Sequence, residues 1–253
     1  MKTIDINTDL GEGFGRYRIA DDIGLLDLVT SANIACGAHA GDPTIMYETV
    51  TAATERGVIV GAHIGFPDRE GFGRRLIPMS HSELALLAIT QLGALAAIAS
   101  HAGTRLTHAN FHGALGNLAI SNRDAARVLL SAVKSFDPSL SFVGVTGSEA
   151  AEEAEEQGIH LVRSFLADRG YTGEGRLVSR AAPGALVKDP AAIRERIVKL
   201  MRHGVLDTVD GETIEMEFDS ILVHSDTAGS VEIAQTIRAA VLDAGAGIAS
   251  FRS

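Results

Sequence analysis

Hydrophobic and polar residues alternate in several short segments, with the period of two that is typical of a β-strand with one apolar face. In residues 2–8 the isoleucines share one face, and Asp5 and Asn7 share the other. Residues 106–111 and 221–225 repeat the pattern with histidine on the polar face. The outer face of a closed parallel barrel packs on helices, so we expect the polar faces to line the lumen.

Between these segments, hydrophobic residues recur with the spacing of amphipathic helices. Asp42 before Pro43 marks one helix start, and Ser80 with Glu83 forms a capping box at another. The predicted helices span residues 42–56, 80–103, 122–134, 148–157, 189–204 and 229–243. Further strands are expected at residues 59–62, 141–145, 160–165 and 206–209, in an apolar run ending at His39, and in a hairpin that pairs residues 205–209 with 213–217 around Asp210-Gly211.

Alternation of strands and helices is typical of parallel β/α architecture, and 253 residues is the usual size of one barrel domain. We therefore predict the α/β fold class, with a single domain over residues 1–253. Its architecture would be a β/α barrel of about seven parallel strands with a hairpin inserted late in the chain.

Charge and composition restrict the function. The formal net charge of −10 argues against nucleic-acid binding, because phosphate contacts need basic patches. Cys36 is the only cysteine, so the chain can form no internal disulfide. No run of about 18 consecutive apolar residues is present, and MKTI leads into a strand instead of a signal peptide. We expect a cytoplasmic protein that does not enter a membrane.

Acidic residues and histidines collect where the predicted strands end. Asp9 and Glu12 follow the first strand, and His39 and His63 end the next two. The carboxyl ends of parallel strands meet at one rim, where α/β proteins place their sites. Asp9, His39 and His63 would there form a ligand set that zinc or a similar divalent cation favours. The structural alternative is a turn-forming aspartate and two hydrogen-bonded core histidines.

A second group consists of His112, His224 and Asp226. A histidine beside an aspartate is the ordinary arrangement for general acid–base catalysis, although it also serves as a structural hydrogen bond. His108 lies deeper in its strand and is expected to be buried structure.

The segment GFGR occurs twice, at residues 13–16 and 71–74. Its backbone N–H groups, together with Arg74 and Arg75, could hold a carboxylate or phosphate, or the segments could be simple turns. The chain contains neither GxxxxGK[ST] nor a complete GxGxxG followed by a helix, so it carries no nucleotide-binding fingerprint.

Several motifs, in order, resemble those of the LamB/YcsF family, whose bacterial members include the A-type component of the ATP-dependent 5-oxoprolinase. The resemblance runs nearly from end to end. The motifs are DINTDLGEGFGR (residues 5–16), SANIACGAHAGD (31–42), GAHIGFPD (61–68), GFGRR (71–75), HGAL (112–115), ADRGY (167–171) and HSD (224–226).

The resemblance implies a seven-stranded barrel related to the glycoside hydrolase/deacetylase fold. It also implies hydrolysis of the cyclic amide 5-oxoproline to L-glutamate, coupled to ATP hydrolysis in a complex with two further subunits of the B and C type. ATP would be handled through that complex, which agrees with the missing phosphate loop.

Candidate roles follow from the matched positions and the residue types. The catalytic candidates are Asp9, Glu12, His112, His224 and Asp226. The cofactor-binding candidates are Arg74, Arg75 and Arg169, and the substrate-binding candidates are Asn7, Asn33, Asp42, Asp68 and Asn110. The metal-ligand candidates are Asp9, His39 and His63.

The chain departs from the family motifs at positions that would contact substrate. Asn110 replaces a lysine, which removes a cation that could hold a carboxylate or an acyl phosphate. Phe111 replaces a proline and Gly116 a tyrosine, which reshapes the mouth. Ser164 stands for an acidic residue, Thr8 for a cysteine and Ser225 for a glycine.

These departures leave two alternatives open. The chain could act alone as a metal-dependent deacetylase or amidohydrolase through Asp9, His39 and His63. It could also be a non-catalytic subunit that binds carboxylates. Assembly into a homo-oligomer is left open as well.

Overall fold

Seven parallel strands close into a barrel in the computed structural model, which describes residues 3–179 and 182–252. The described residues contain these seven strands and three others. In chain order the strands are β1 (Thr3–Leu10), β2 (Ser31–Ala35), β3 (Ile59–Ile64), β4 (Leu106–Phe111), β5 (Ser141–Val145), β6 (Leu161–Leu166), β7 (Val205–Asp207), β8 (Thr213–Glu215), β9 (Ser220–Val223) and β10 (Gly247–Ile248). The three others are β7, β8 and β10. The barrel order is β1-β2-β3-β4-β5-β6-β9, and β9 pairs back to β1. The prediction of a β/α barrel of about seven parallel strands is confirmed.

Helices cover the outside of the barrel. They are α1 (Asp22–Leu26), α2 (Pro43–Glu55), α3 (His81–His101), α4 (Gly113–Ser121), α5 (Arg123–Phe136), α6 (Glu149–Glu156), α7 (Pro190–His203) and α8 (Ser230–Asp243). Asp42 caps α2, since its side chain accepts the N–H groups of Thr44 and Ile45, and both halves of the Ser80–Glu83 capping box are present.

The helix α3 is long and apolar enough to cross a membrane by length and composition alone. Leu84, Leu92 and Leu95 of this helix are buried in the core. A core helix of a globular protein passes the same test, so this helix is weak evidence for a membrane span.

Polar side chains bond to one another across the lumen. The Asn7 amide donates to Ser31 Oγ at 2.7 Å, and the Asn33 amide donates to Asn7 Oδ1 at 2.5 Å. His108 Nε2 lies 2.9 Å from Asn33 Oδ1, which agrees with a structural role for this histidine. Gly61 is paired with His108, and a Cβ at this glycine would overlap the imidazole ring. The glycine therefore makes room for the ring.

Several local predictions were wrong. The strand expected to end at His39 stops at Ala35, and the histidine lies in the turn that follows. The helices α1 and α4 were not predicted; Gly113 and Gly116 weaken the helical signal of α4. The hairpin of β7 and β8 exists, but Thr208 N–H bonds to Glu212 O, so its loop is longer than a two-residue turn.

Candidate active site at the barrel mouth

A cavity of about 580 Å³ opens at the carboxyl ends of the strands. Its lining combines groups capable of acid–base or metal chemistry with apolar side chains. The first set includes Asp9, His63, Arg74, His112 and His224, and the second includes Phe111, Ile120, Val145, Leu166, Leu177 and Leu222. A concave, mixed surface of this size is typical of a small-molecule site.

Four buried side chains converge beside the cavity: Glu12, His39, His63 and His112, of which the last two line it. We call them the Glu–His cluster. Glu12 Oε1 lies 3.3 Å from His39 Nε2, 3.7 Å from His63 Nε2 and 3.3 Å from His112 Nδ1. One donor atom from each of the four residues lies within 4.8 Å of all the others. The four come from the ends of four successive strands, as parallel β/α barrels arrange their sites.

The loop between β3 and α3 fixes the orientation of His112. Its Nε2 lies 2.8 Å from the carbonyl oxygen of Phe72 and donates to it, so Nδ1 carries a lone pair, which faces His63 Nε2 at 2.9 Å and Glu12 Oε1 at 3.3 Å. Phe72 has φ +53°, an unusual conformation for a bulky residue and one that costs energy. Gly73 follows with φ +62°, and a Cβ there would lie 2.7 Å from His39 Cβ and 2.8 Å from His112 Cδ2.

Burial controls protonation in the Glu–His cluster. It lowers the pKa of His63 and of His112 to about 3 and that of His39 well below its usual value, so all three imidazoles are neutral near pH 7. Burial, with the nearby charges of Asp9 and Asp226, raises the pKa of Glu12 well above its usual value.

The cluster fits a divalent cation on its donor chemistry. Neutral imidazole nitrogens and one carboxylate are ligands that zinc and similar ions favour. The hydrogen bond from His112 to Phe72 O is the outer-shell contact that commonly orients a metal-binding histidine. The described residues therefore include a group that could hold a metal ion.

Asp9 lies at the edge of the cluster and also lines the cavity. Its Oδ2 is 3.6 Å from His63 Nε2, and its Oδ1 accepts the Asn33 amide at 2.8 Å. Burial raises the pKa of Asp9, against the opposing effect of His224. This carboxylate is therefore placed between the cluster and the cavity.

A histidine–aspartate pair lies beside the cavity after the later strands, and its histidine, His224, lines the cavity. His224 Nδ1 lies 3.0 and 2.9 Å from the two carboxylate oxygens of Asp168. This contact fixes the ring and directs Nε2 away from the aspartate. Asp226 instead binds Arg74, with 2.5 Å between Oδ2 and Nη2.

A profile of the LamB/YcsF family matches residues 4–253. The chain belongs to the LamB/YcsF family. The chain is 45% identical over 253 residues to an A-type 5-oxoprolinase component of Bradyrhizobium diazoefficiens, covering 100% of this chain and 99% of that one. It is 48% identical over 239 residues to an A-type 5-oxoprolinase component of Ralstonia nicotianae, covering 94% and 92%.

Solved structures agree with the LamB/YcsF assignment. The crystal structure of a lactam utilization protein from Thermus thermophilus superposes with a TM-score of 0.94 at 36% identity, covering 98% of this chain and 100% of that one. A cellobiose-phosphate cleavage protein from Enterococcus faecalis has a TM-score of 0.60 at 13% identity, with 99% and 98% covered, and shows a shared fold alone. The resemblance inferred from the motifs is confirmed.

The three arginines that the sequence predicts to bind a cofactor lie in different positions relative to the cavity. Arg74 lines the cavity. Arg75 is exposed and pairs with Asp68 outside the cavity lining. Arg169 lines the cavity, but its Nε donates to Ala185 O at 3.1 Å and its Nη2 donates to Val178 O at 2.7 Å. The geometry therefore gives Arg169 a structural contact with the loop after β6.

The proposed substrate-binding residues also separate. Asn110 lines the cavity, whereas Asn7 and Asn33 belong to the hydrogen-bonded lumen beneath it. Asp42 accepts backbone N–H groups at the start of α2, and Asp68 accepts from Gly71 N–H and from Arg75. Both carboxylates are thus occupied within their own loops, so their roles in substrate binding remain predictions without geometric support.

Four departures from the LamB/YcsF motifs line the cavity: Asn110, Phe111, Gly116 and Ser164. The Asn110 amide donates to Val143 O at 2.8 Å, next to a β4–β5 pairing that joins His108 to Ser141 and Ala109 to Phe142. The buried Ser164 Oγ has no hydrogen-bond partner within residues 3–179 and 182–252. The altered positions therefore concentrate where a ligand would contact the protein.

Sequence reasoning missed the supporting contacts of the site. It grouped Glu12 and His112 with the catalytic candidates, and the structure brings both beside His39 and His63. It interpreted Phe72 and Gly73 only as part of a repeated loop segment. The positive φ at Phe72 has no sequence signature, although the adjacent glycines mark an unusual turn.

Proposed function

We propose that this chain is the A-type component of a multi-subunit 5-oxoprolinase and opens the cyclic amide of 5-oxoproline to L-glutamate. The observation that carries the proposal is the placement of Asp9, the Glu–His cluster and the Asp168–His224 pair around one cavity. The full-length identity to A-type 5-oxoprolinase components supports the choice of substrate. We infer a single cytoplasmic domain.

The reaction requires attack of water on the lactam carbonyl and protonation of the ring nitrogen as the C–N bond breaks. Asp9, with its raised pKa and its position on the cavity wall, takes the proton from water. His224, whose Nδ1–H is donated to Asp168, reacts as the imidazolium: it delivers the Nε2 proton to the leaving nitrogen and becomes the neutral Nδ1–H tautomer. His112 cannot do so, since Nε2 is bound to Phe72 O and Nδ1 belongs to the cluster.

The substrate carboxylate needs a cation. Arg74 lines the cavity and is held by Asp226, so it is the residue placed to bind that carboxylate. Glu12, His39, His63 and His112 would hold a divalent ion, which would polarise the amide carbonyl or acidify water when bound. ATP would be used with partner subunits, because the chain carries no phosphate-binding loop motif.

The direct test combines the purified chain with its partner subunits, 5-oxoproline, Mg²⁺ and ATP, and measures glutamate. We expect ATP-dependent glutamate formation that Asp9→Asn and His224→Gln reduce by roughly 10²–10⁴-fold. Thr236→Ala is the control and should retain full activity, because the Thr236 hydroxyl donates to Glu232 O within α8 itself. Absence of glutamate from the complete wild-type mixture would contradict the proposal.

The Glu–His cluster favours one second candidate, a metal-dependent amide hydrolase that acts without partners. This alternative predicts turnover of small amides or lactams by the isolated chain without ATP, and loss of turnover with a chelator. Ligand binding without turnover in either assay would instead indicate the non-catalytic, carboxylate-binding subunit. Sedimentation of the isolated chain would show whether it forms a homo-oligomer.

A further inference from the structure

The loop after β6 is tied to α7 by one side chain. Arg196 Nη1 donates to Ala167 O at 2.8 Å, and its Nη2 donates to Arg169 O at 2.8 Å. These two carbonyls flank Asp168, the residue that holds His224. The guanidinium also lies over the Phe165 ring, 5.6 Å from its centroid, so packing and hydrogen bonds fix it together.

We infer that Arg196 is a positioning residue, which sets the Asp168 carboxylate and through it the His224 ring. A planar guanidinium carries its N–H donors in a fixed geometry, so it holds the Ala167 and Arg169 carbonyls at a fixed distance from each other. The Asp168 side chain, which lies between them in the sequence, is thereby held in one orientation. The other backbone groups nearby are fixed as well: Leu166 N–H donates to Tyr171 Oη at 2.9 Å, and Val187 N–H donates to Asp168 O at 2.8 Å.

The charge of Arg196 acts in the same direction. Its guanidinium is half-buried, and the nearby negative charge of Asp168 favours its charged form against the effect of burial. Arg196 does not line the cavity, so it acts on the reaction only through the loop that it holds, in which Asp168 makes the contact with His224.

Without the Arg196 guanidinium, the carbonyls of Ala167 and Arg169 lose these hydrogen bonds and the loop after β6 can shift. An error of about 1 Å at a catalytic group costs up to roughly a hundredfold in rate. Substrate binding would change little, since neither Arg196 nor Asp168 lines the cavity and the Arg169 side chain is held separately by the carbonyls of Ala185 and Val178. The kinetic effect should therefore fall on kcat.

Two experiments test the inference. The kinetic experiment rests on the proposed function, and an NMR experiment on the His224 ring does not depend on it. In the complete ATP-dependent assay, Arg196→Met should lower kcat about ten- to hundredfold with KM within about twofold, and Arg196→Lys should fall between. Arg238→Met is the matched control, because Arg238 is also half-buried and donates to a carbonyl, that of Leu28 at 2.8 Å, away from this loop. It should leave kcat unchanged.

The second experiment is nitrogen NMR of the His224 ring in the full chain. The wild type should show distinct Nδ1–H and Nε2 resonances, and Arg196→Met should average them, whereas Arg238→Met should not. Wild-type kcat and resonances in Arg196→Met overturn the inference. If that variant does not fold, wild-type values in Arg196→Lys overturn it equally. If the wild type forms no glutamate, the proposed function fails and the resonances alone decide on Arg196.

Discussion

A comparison of Gly73→Ala with Gly57→Ala should separate the cost of backbone strain from damage to the Glu–His cluster. The Gly73→Ala Cβ would lie 2.7 Å from His39 Cβ and 2.8 Å from His112 Cδ2. Neither contact is with the flexible end of a long side chain, so an imidazole or the loop must move. Gly57→Ala is the control, because Gly57 has nearly the same conformation, φ +69° against +62°, and nothing within 4 Å of its Cβ.

The magnitudes follow from these two differences. A left-handed conformation costs a non-glycine residue roughly 1–2 kcal/mol, and both variants carry that cost. Overpacking adds roughly 1–3 kcal/mol, and only Gly73→Ala carries it. For a chain of this length each kcal/mol lowers Tm by about 2–4 °C, so Gly73→Ala should melt several degrees below Gly57→Ala.

Thermal unfolding and metal analysis check the two effects separately. Each variant is loaded with Zn²⁺ or Mn²⁺, dialysed and measured for bound metal. Gly57→Ala should bind as the wild type does, and Gly73→Ala should bind at least about tenfold more weakly, in line with losses at groups that support metal ligands. Equal stability and equal metal binding in the two variants would refute the reasoning.

Three further changes test other contacts. Glu12→Gln removes the only carboxylate of the Glu–His cluster, so the metal affinity measured by calorimetry should fall by more than the roughly 10–100-fold of an outer-shell loss. Asp168→Asn should lower kcat for glutamate formation by roughly 10²–10⁴-fold without changing bound metal. The hydrogen bond from Arg75 lowers the pKa of Asp68 to about 2, from 3.8 in the unfolded chain. This pair therefore stabilises the fold above about pH 4, and the stabilisation is lost as the pH falls towards 2. The Tm difference between wild type and Asp68→Asn should shrink over that range.

Each of these expectations has a contrary result. Unchanged metal affinity in Glu12→Gln would place the cation elsewhere. Loss of bound metal in Asp168→Asn would mean that the two halves of the site are not separable. A Tm difference for Asp68→Asn that is constant from pH 5 to about 2 would show that the ion pair is not its source.

The fold was largely predictable because its signals are local. Alternation in residues 2–8 places Asp5 and Asn7 in the lumen, and Asp42-Pro43 and Ser80–Glu83 set helix starts that the structure confirms. The failures were also local: Gly113 and Gly116 hide α4, whose first residue follows His112 directly without a side-chain cap.

The sequence indicated which residue types form the candidate site, but it did not indicate which of these residues contact one another. The sequence places Glu12 and His112 at strand ends, but their meeting depends on closure of the barrel and on the turn at Phe72. The contact of Arg196 with two carbonyls of a distant loop has no motif at all. Such contacts depend on packing between elements, which no periodicity reports.

The short pairing of β4 with β5 gives one cavity residue a second role. The two strands register over His108–Ser141 and Ala109–Phe142, and residues that follow this pairing on both strands line the cavity. There the Asn110 side-chain amide continues the connection between the strands by donating to Val143 O. A substitution of Asn110 would therefore change the cavity lining and the closure of the barrel wall together, so the surface that meets a ligand here cannot vary independently of the scaffold.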